Sequence, residues 1–260
     1  MATSGKARFL GNSQQPQLLS TSPAPARSLH GAIARDIGIK IVSGHHKRDE
    51  VLASEITASS EMRVSRTAYR EAMRMLIAKG LLAQRPKSGT RVTAQEEWHL
   101  LDPDVLAWIF EAEPDEQLFT QLFDLRKVIE PEAAARAAKY RNKRELAQMT
   151  AALENMARYG LAFDEGRRAD QEFHHIILRA SRNMFLASLS NGISAAINWT
   201  TIFRLRTHSH IRNGVDEHRK VYEAIAAADP VAAHESMSKL IELALLDIKN
   251  SKRKHKRKKS

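Results

Sequence analysis

The 260-residue chain contains no cysteine. That excludes a disulfide framework, a thiolate metal site and a cysteine nucleophile. Long apolar runs are missing too, and none approaches the roughly 18–20 residues needed to cross a bilayer. The Gln-, Ser- and Pro-rich start carries Lys6 and Arg8 but no apolar h-region of the secretory kind. These absences point to the cytoplasm, with no membrane partner. No internal repeat is evident either. What the chain does have is 43% hydrophobic residues, enough at this length for one small and one ordinary domain core.

The net charge of +11 is unevenly spread. Residues 28–94 hold 12 Lys or Arg against 6 Asp or Glu, residues 95–250 hold 19 against 24, and residues 251–260 hold seven against none. A merely solvated charged surface does not predict a basic first half and an acidic second half. A phosphate backbone bound by the first half does, because cation contacts release condensed counterions.

Apolar spacing gives the organisation. Residues 1–27, with Pro16, Pro23 and Pro25 among polar neighbours, read as a flexible arm. Leu29, Ile33, Ile37 and Ile41 recur every four residues and predict a helix from the N-cap Ser28 to about Val42. A short helix is expected over 53–60 and a third from Ser65 to about Lys79, burying Ala72, Met73, Leu76 and Ile77. Two short β-prone runs around Arg85-Pro86-Lys87-Ser88-Gly89 then predict a hairpin. Three helices and a hairpin make a winged helix-turn-helix over 28–94. Residues 95–114 read as a linker and 115–250 as an antiparallel bundle of six or seven helices, with Pro131 kinking one of them. The basic residues 251–260 are expected to repel one another and stay unfolded. The fold class is thus mainly α: a winged helix-turn-helix followed by an all-helical bundle.

Arg66, Arg70 and Arg74 recur at four-residue spacing, opposite the apolar face of the third helix. A helix of that kind fits the major groove with its N-terminal residues at the base edges. Arg66, with Thr67 beside it, enters deepest; the hairpin tip, Lys87, Ser88, Gly89 and Thr90, is placed to meet phosphate or the minor groove. A lone arginine row is more often a solvated face, but the preceding helix, the capping Ser65 and the wing shift the balance to DNA reading.

The run Val64-Ser65-Arg66-Thr67-Ala68-Tyr69-Arg70-Glu71-Ala72, followed by Gly80-Leu81-Leu82 and Ser88-Gly89-Thr90-Arg91-Val92, resembles the reader of the GntR family of bacterial regulators. The resemblance implies a homodimer on a short palindromic operator in double-stranded DNA, with Ser65, Arg66, Thr67, Arg70 and the wing at the DNA. Fatty-acid-responsive members often carry a DNA-contacting arginine on the second helix, where this chain has Ile56.

Asp170 and His174 stand four apart and share a helix face. Such a pair forms an ordinary surface hydrogen bond, or with a third donor such as His218 grips a divalent cation. Arg126 four residues before Glu130 is either an anchor for a carboxylate or a bundle-stabilising ion pair. Residues 102–250 resemble the FCD domain of the FadR-like subfamily, on Arg126 to Glu130, Asp170-Gln171-Glu172-Phe173-His174, Ser181-Arg182-Asn183, and Glu217-His218 through Asp229. The resemblance implies a metal (Zn, Mn or Ni) on an aspartate and histidines, completed by an effector carboxylate, with Arg126 and Asn183 at the effector. It departs at the last expected histidine, which is Leu240 here; His234, six residues earlier, lies about 120° off that face. Either the metal persists on Asp170, His174 and His218, or these three hydrogen-bond the effector directly. The Trp98–Trp108 stretch resembles the linker of regulators that respond to sugar acids, galactonate among them. The function expected is a non-enzymatic transcription regulator, a repressor released by a small carboxylate. Its rivals are a metal-dependent hydrolase fused to a DNA reader and a non-specific nucleic-acid-binding protein.

Overall fold

The computed structural model describes residues 28–85, 88–114, 116–207 and 214–259. The expected arm over 1–27 lies outside the described residues. In the first domain α1 (Leu29–Val42) starts at Ser28, whose hydroxyl accepts from Gly31 N at 3.2 Å. Ile33, Ile37 and Ile41 are buried; Leu29, expected in the same stripe, is 57% exposed because it opens the helix ahead of the core. Ser54 caps α2 (Glu55–Glu61) and Ser65 caps α3 (Arg66–Ala78), each accepting from the amide three residues on, the usual N-cap arrangement. Tyr69, Ala72, Met73 and Leu76 of α3 pack onto α1.

The wing is β1 (Leu82–Arg85) antiparallel to β2 (Gly89–Val92), with Leu82 opposite Val92 and Arg85 opposite Gly89. Residues 49–52 run along its free edge: Leu52 N donates to Thr90 O at 2.9 Å and Val92 N to Glu50 O at 3.0 Å.

The expected linker over 95–114 contains a docked helix. After a 3₁₀ turn at Gln95–Glu97, α4 (Pro103–Glu111) is capped by Asp102, which accepts from Asp104 N and Val105 N. Val105, Trp108 and Ile109 join the core of the reader, while Leu106 and Phe110 join the core of the bundle. Gly38 of α1 permits this: a Cβ there would lie 2.6 Å from Trp108 Cζ3. Lys79 Nζ, at the end of α3, lies 2.8 Å from both Asp102 Oδ1 and Asp104 Oδ2, and Arg35 of α1 pairs with Glu111.

The bundle comprises α5 (Glu116–Tyr140), α6 (Lys143–Tyr159), α7 (Asp164–Ala180), the short α8 (Met184–Ser188), α9 (Ser190–Thr207), α10 (Val215–Ala226) and α11 (Pro230–Lys259). Leu189 ends α8 and α9 restarts at Ser190. Pro131 is buried inside α5, which runs on to Tyr140. Eleven buried side chains along α5 outweigh the ~3 kcal/mol that an interior proline costs. The tail is also corrected: α11 is helical through Lys259. Lys and Arg are good helix formers, and cations are favoured at a helix C-terminus. Among the described residues no helix is long and apolar enough to cross a membrane.

Candidate DNA-reading face and effector cavity

The core face of α3 turns the other way from its arginines, so Ser65, Arg66, Thr67, Arg70 and Arg74 are all exposed. They are not equally available. Arg70 is held by Glu55 of α2, with Nε 3.0 Å from Oε2 and Nη2 2.7 Å from Oε1. That hydrogen bond lowers the Glu55 carboxyl and raises the Arg70 guanidinium from their ordinary values. Arg74 pairs with Glu71 at 2.7 Å. Arg66 makes no ion pair among the described residues. Of the three arginines, Arg70 and Arg74 each already have a carboxylate partner. Glu55 escaped the sequence reading because it lies 15 residues from Arg70 and no local spacing marks the pair.

Ser88 and Gly89 are exposed at the wing tip and Thr90 is half-buried; Lys87 lies outside the described residues. Gly89 has φ +79, a backbone conformation that suits glycine at this turn. Ile56 is 61% exposed on α2.

In the bundle, Asp170, His174 and His218 offer ligand atoms that all lie within 4.8 Å of one another, and all three residues are buried. His218 Nε2 is 2.9 Å from Asp170 Oδ1 and 3.3 Å from His174 Nε2. Each ring is oriented from behind: His218 Nδ1 donates to Gly214 O at 2.6 Å, and His174 Nδ1 lies 2.5 Å from Glu130 Oε2. The 2.9 Å contact of His218 Nε2 with Asp170 Oδ1 is a hydrogen bond that places a proton on Nε2; with that proton lost, the two Nε2 atoms and the Asp170 carboxylate are the set that could hold a cation. Burial works against the charged form of Asp170, but the hydrogen bond and charge of His218 outweigh it and hold its carboxyl low. Burial opposes the charged form of His218 too, yet Asp170 raises it.

Burial also disfavours ionised Glu130, but Arg126 and His174 prevail and lower it to about 2. Arg126 Nε donates to Glu130 Oε1 at 2.6 Å, so the ion pair exists; Arg126 also lines the cavity above the Asp–His–His cluster. Anchor and ion pair are thus not exclusive. Thr200, Thr201 and Arg204 of α9 and Leu240 of α11 complete the wall. Leu240 is buried where the fourth ligand was expected, and His234 is exposed. Asn183 is elsewhere: its Oδ1 accepts from Phe185 N and Leu186 N, capping α8. An N-cap satisfies the same residue type with no ligand, and Asn183 is not among the residues lining the cavity. Thr200, Thr201 and Arg204 share one face at helical spacing, a signal the sequence carried without a direction. Arg206 is exposed, and Trp199 turns to Phe110, ring centroids 6.3 Å apart.

A winged helix-turn-helix joined through a docked helix to a bundle with a buried Asp–His–His cluster defines a DNA-binding transcription regulator with a sensor domain. The chain belongs to the GntR family: residues 29–92 match the profile of "Bacterial regulatory proteins, gntR family" and residues 121–243 match the FCD domain. It is 29% identical over 220 residues to the Escherichia coli protein called Uncharacterized HTH-type transcriptional regulator YieP, covering 84% of this chain and 94% of the relative. It is 28% identical over 208 residues to the Escherichia coli galactonate operon transcriptional repressor, covering 79% and 90%. Among solved structures, the Listeria monocytogenes regulator Lar superimposes with a TM-score of 0.61 at 18% identity, covering 85% of this chain and 96% of the other, a likeness of fold.

Proposed function

We propose that the protein is a homodimeric repressor released from a palindromic operator when a small carboxylate of the sugar-acid class enters the bundle cavity. One observation carries this reading: a buried Asp170–His174–His218 cluster lies beneath Arg126 and beside the Thr200, Thr201 and Arg204 face of α9. The guanidinium fork of Arg126 suits a carboxylate, and the threonine oxygens suit the hydroxyls of a sugar acid. The resemblance to a repressor named for galactonate supports the same class.

Asp170, His174 and His218 are the residues to hold a divalent cation (Zn, Mn or Ni), which when bound would supply positive charge facing the effector carboxylate. Among the described residues Arg126 pairs with Glu130, Arg204 with Asp247 and His218 with Asp170. With Leu240 in place of a fourth ligand, more of the cluster is left open.

The cavity measures about 40 Å³, room for about three waters and too little for a six-carbon acid. An effector therefore displaces a wall. Helix α9 carries Thr200, Thr201 and Arg204 on the cavity side and Trp199 and Phe203 on the other, where they meet Phe110 of α4. Because α4 is locked into the reader by Trp108, Lys79 and Arg35, a shift of α9 moves the recognition helix. The size of the response equals the effector's differential affinity for the two arrangements.

Thermal melting with a panel of sugar acids, before and after chelator, tests the reading. A rise with at least one acid that chelator abolishes is expected; no rise with any carboxylate refutes sensing in this cavity.

A further inference from the structure

Seven of the last ten residues are Lys or Arg and none is acidic, and they lie beyond both family matches. We propose that the C-terminal end of α11, residues 251–259, is a second DNA-contacting element that lies along the phosphates of duplex flanking the operator and adds affinity without sequence preference.

The argument rests on backbone and charge. Among the described side chains Ile248 is the last of α11 in the bundle core, and the helix continues to Lys259 through residues 251–259, which hold seven cations and no acid. Residues 251–259 contain no apolar side chain, whereas a helix bound at a membrane surface needs an apolar face. Duplex DNA is the polyanion the rest of the chain already engages. Nine helical residues span about 13 Å, alongside which a duplex presents about eight phosphates at one per ~1.7 Å. At about 100° per residue, positions 252–254 and 256–259 fall on every face of a helix, so about half of them, three or four, can be opposed to a duplex at once.

The test uses the full chain with the seven Lys and Arg residues of 252–259 replaced by glutamine, and a long mixed-sequence duplex as probe. Fluorescence anisotropy is read between about 50 and 200 mM salt. At about 0.9 per phosphate, the slope of log affinity against log salt is expected to be about 3 shallower than wild type. Over that fourfold salt range wild-type affinity then falls about 60-fold more than that of the variant. A second variant, with each Lys changed to Arg and each Arg to Lys, is expected to keep the wild-type slope. An unchanged melting temperature in both ties the difference to the tail. The proposal is overturned if the glutamine variant keeps the wild-type slope. It is equally overturned if the variants differ only on anionic vesicles or single-stranded RNA.

Discussion

Glu130→Gln removes one buried charge from behind the cavity, where Glu130 meets Arg126 and His174. Glu130 is 1% exposed, donates nothing, and accepts from Arg126 at 2.6 Å while facing His174 Nδ1 at 2.5 Å. Its carboxyl is lowered from 4.5 to about 2, a displacement that corresponds to about 3 kcal/mol of preference for the charged form. Independently, breaking a buried ion pair by removing one partner costs about 3–5 kcal/mol, because the other charge is left uncompensated. The two routes agree. For a domain of this size, about 2–4 °C is lost per kcal/mol, so the variant should melt about 10 °C lower than wild type. Circular dichroism reads the shift. The double variant Arg126→Met/Glu130→Leu, which buries no charge, is expected to recover at least half of it. A single variant melting within a degree or two of wild type would refute the reasoning, since Arg126 would then not depend on Glu130.

Arg66→Ala is expected to cost about 1–3 kcal/mol of operator affinity with no change in melting temperature; undiminished binding in anisotropy contradicts its place as the leading contact. Gly38→Ala places a methyl against Trp108 and should destabilise the reader by about 1–3 kcal/mol, seen in denaturant melts, whereas a neutral result means that α4 is not docked as described. Phe110→Leu, conservative enough to cost under about 1.5 kcal/mol, should leave effector affinity unchanged by calorimetry while shrinking the effect of effector on DNA binding. Equal coupling in that variant rules out the α9–α4 route.

The reader was legible because its signals are local: the serine caps Ser28 and Ser65, four-residue apolar spacing, and turn residues at the wing. In the bundle, Met149, Leu153 and Met156 are buried at helical spacing, with Leu146 half-buried at the start of the same stripe. Tertiary effects were not legible. Residues 95–114 look like a linker by sequence because α4 serves two cores, burying Trp108 in one and Phe110 in the other, so it lacks a single apolar stripe. Asp170 and His174 announced themselves by spacing, but the Gly214 carbonyl that orients His218 and the Glu130 carboxylate behind His174 needed the fold. Arg70–Glu55 and Arg204–Asp247 are pairs of distant residues that no period marks. Asn183, placed at the effector by its motif, has a local role that no motif announced, as the N-cap of α8.

The most direct test is selection of duplexes by the purified protein from a random library, run with and without a panel of sugar acids. The account predicts enrichment of a palindromic sequence that at least one acid abolishes. Absence of any enriched sequence, or enrichment indifferent to every acid, would contradict it.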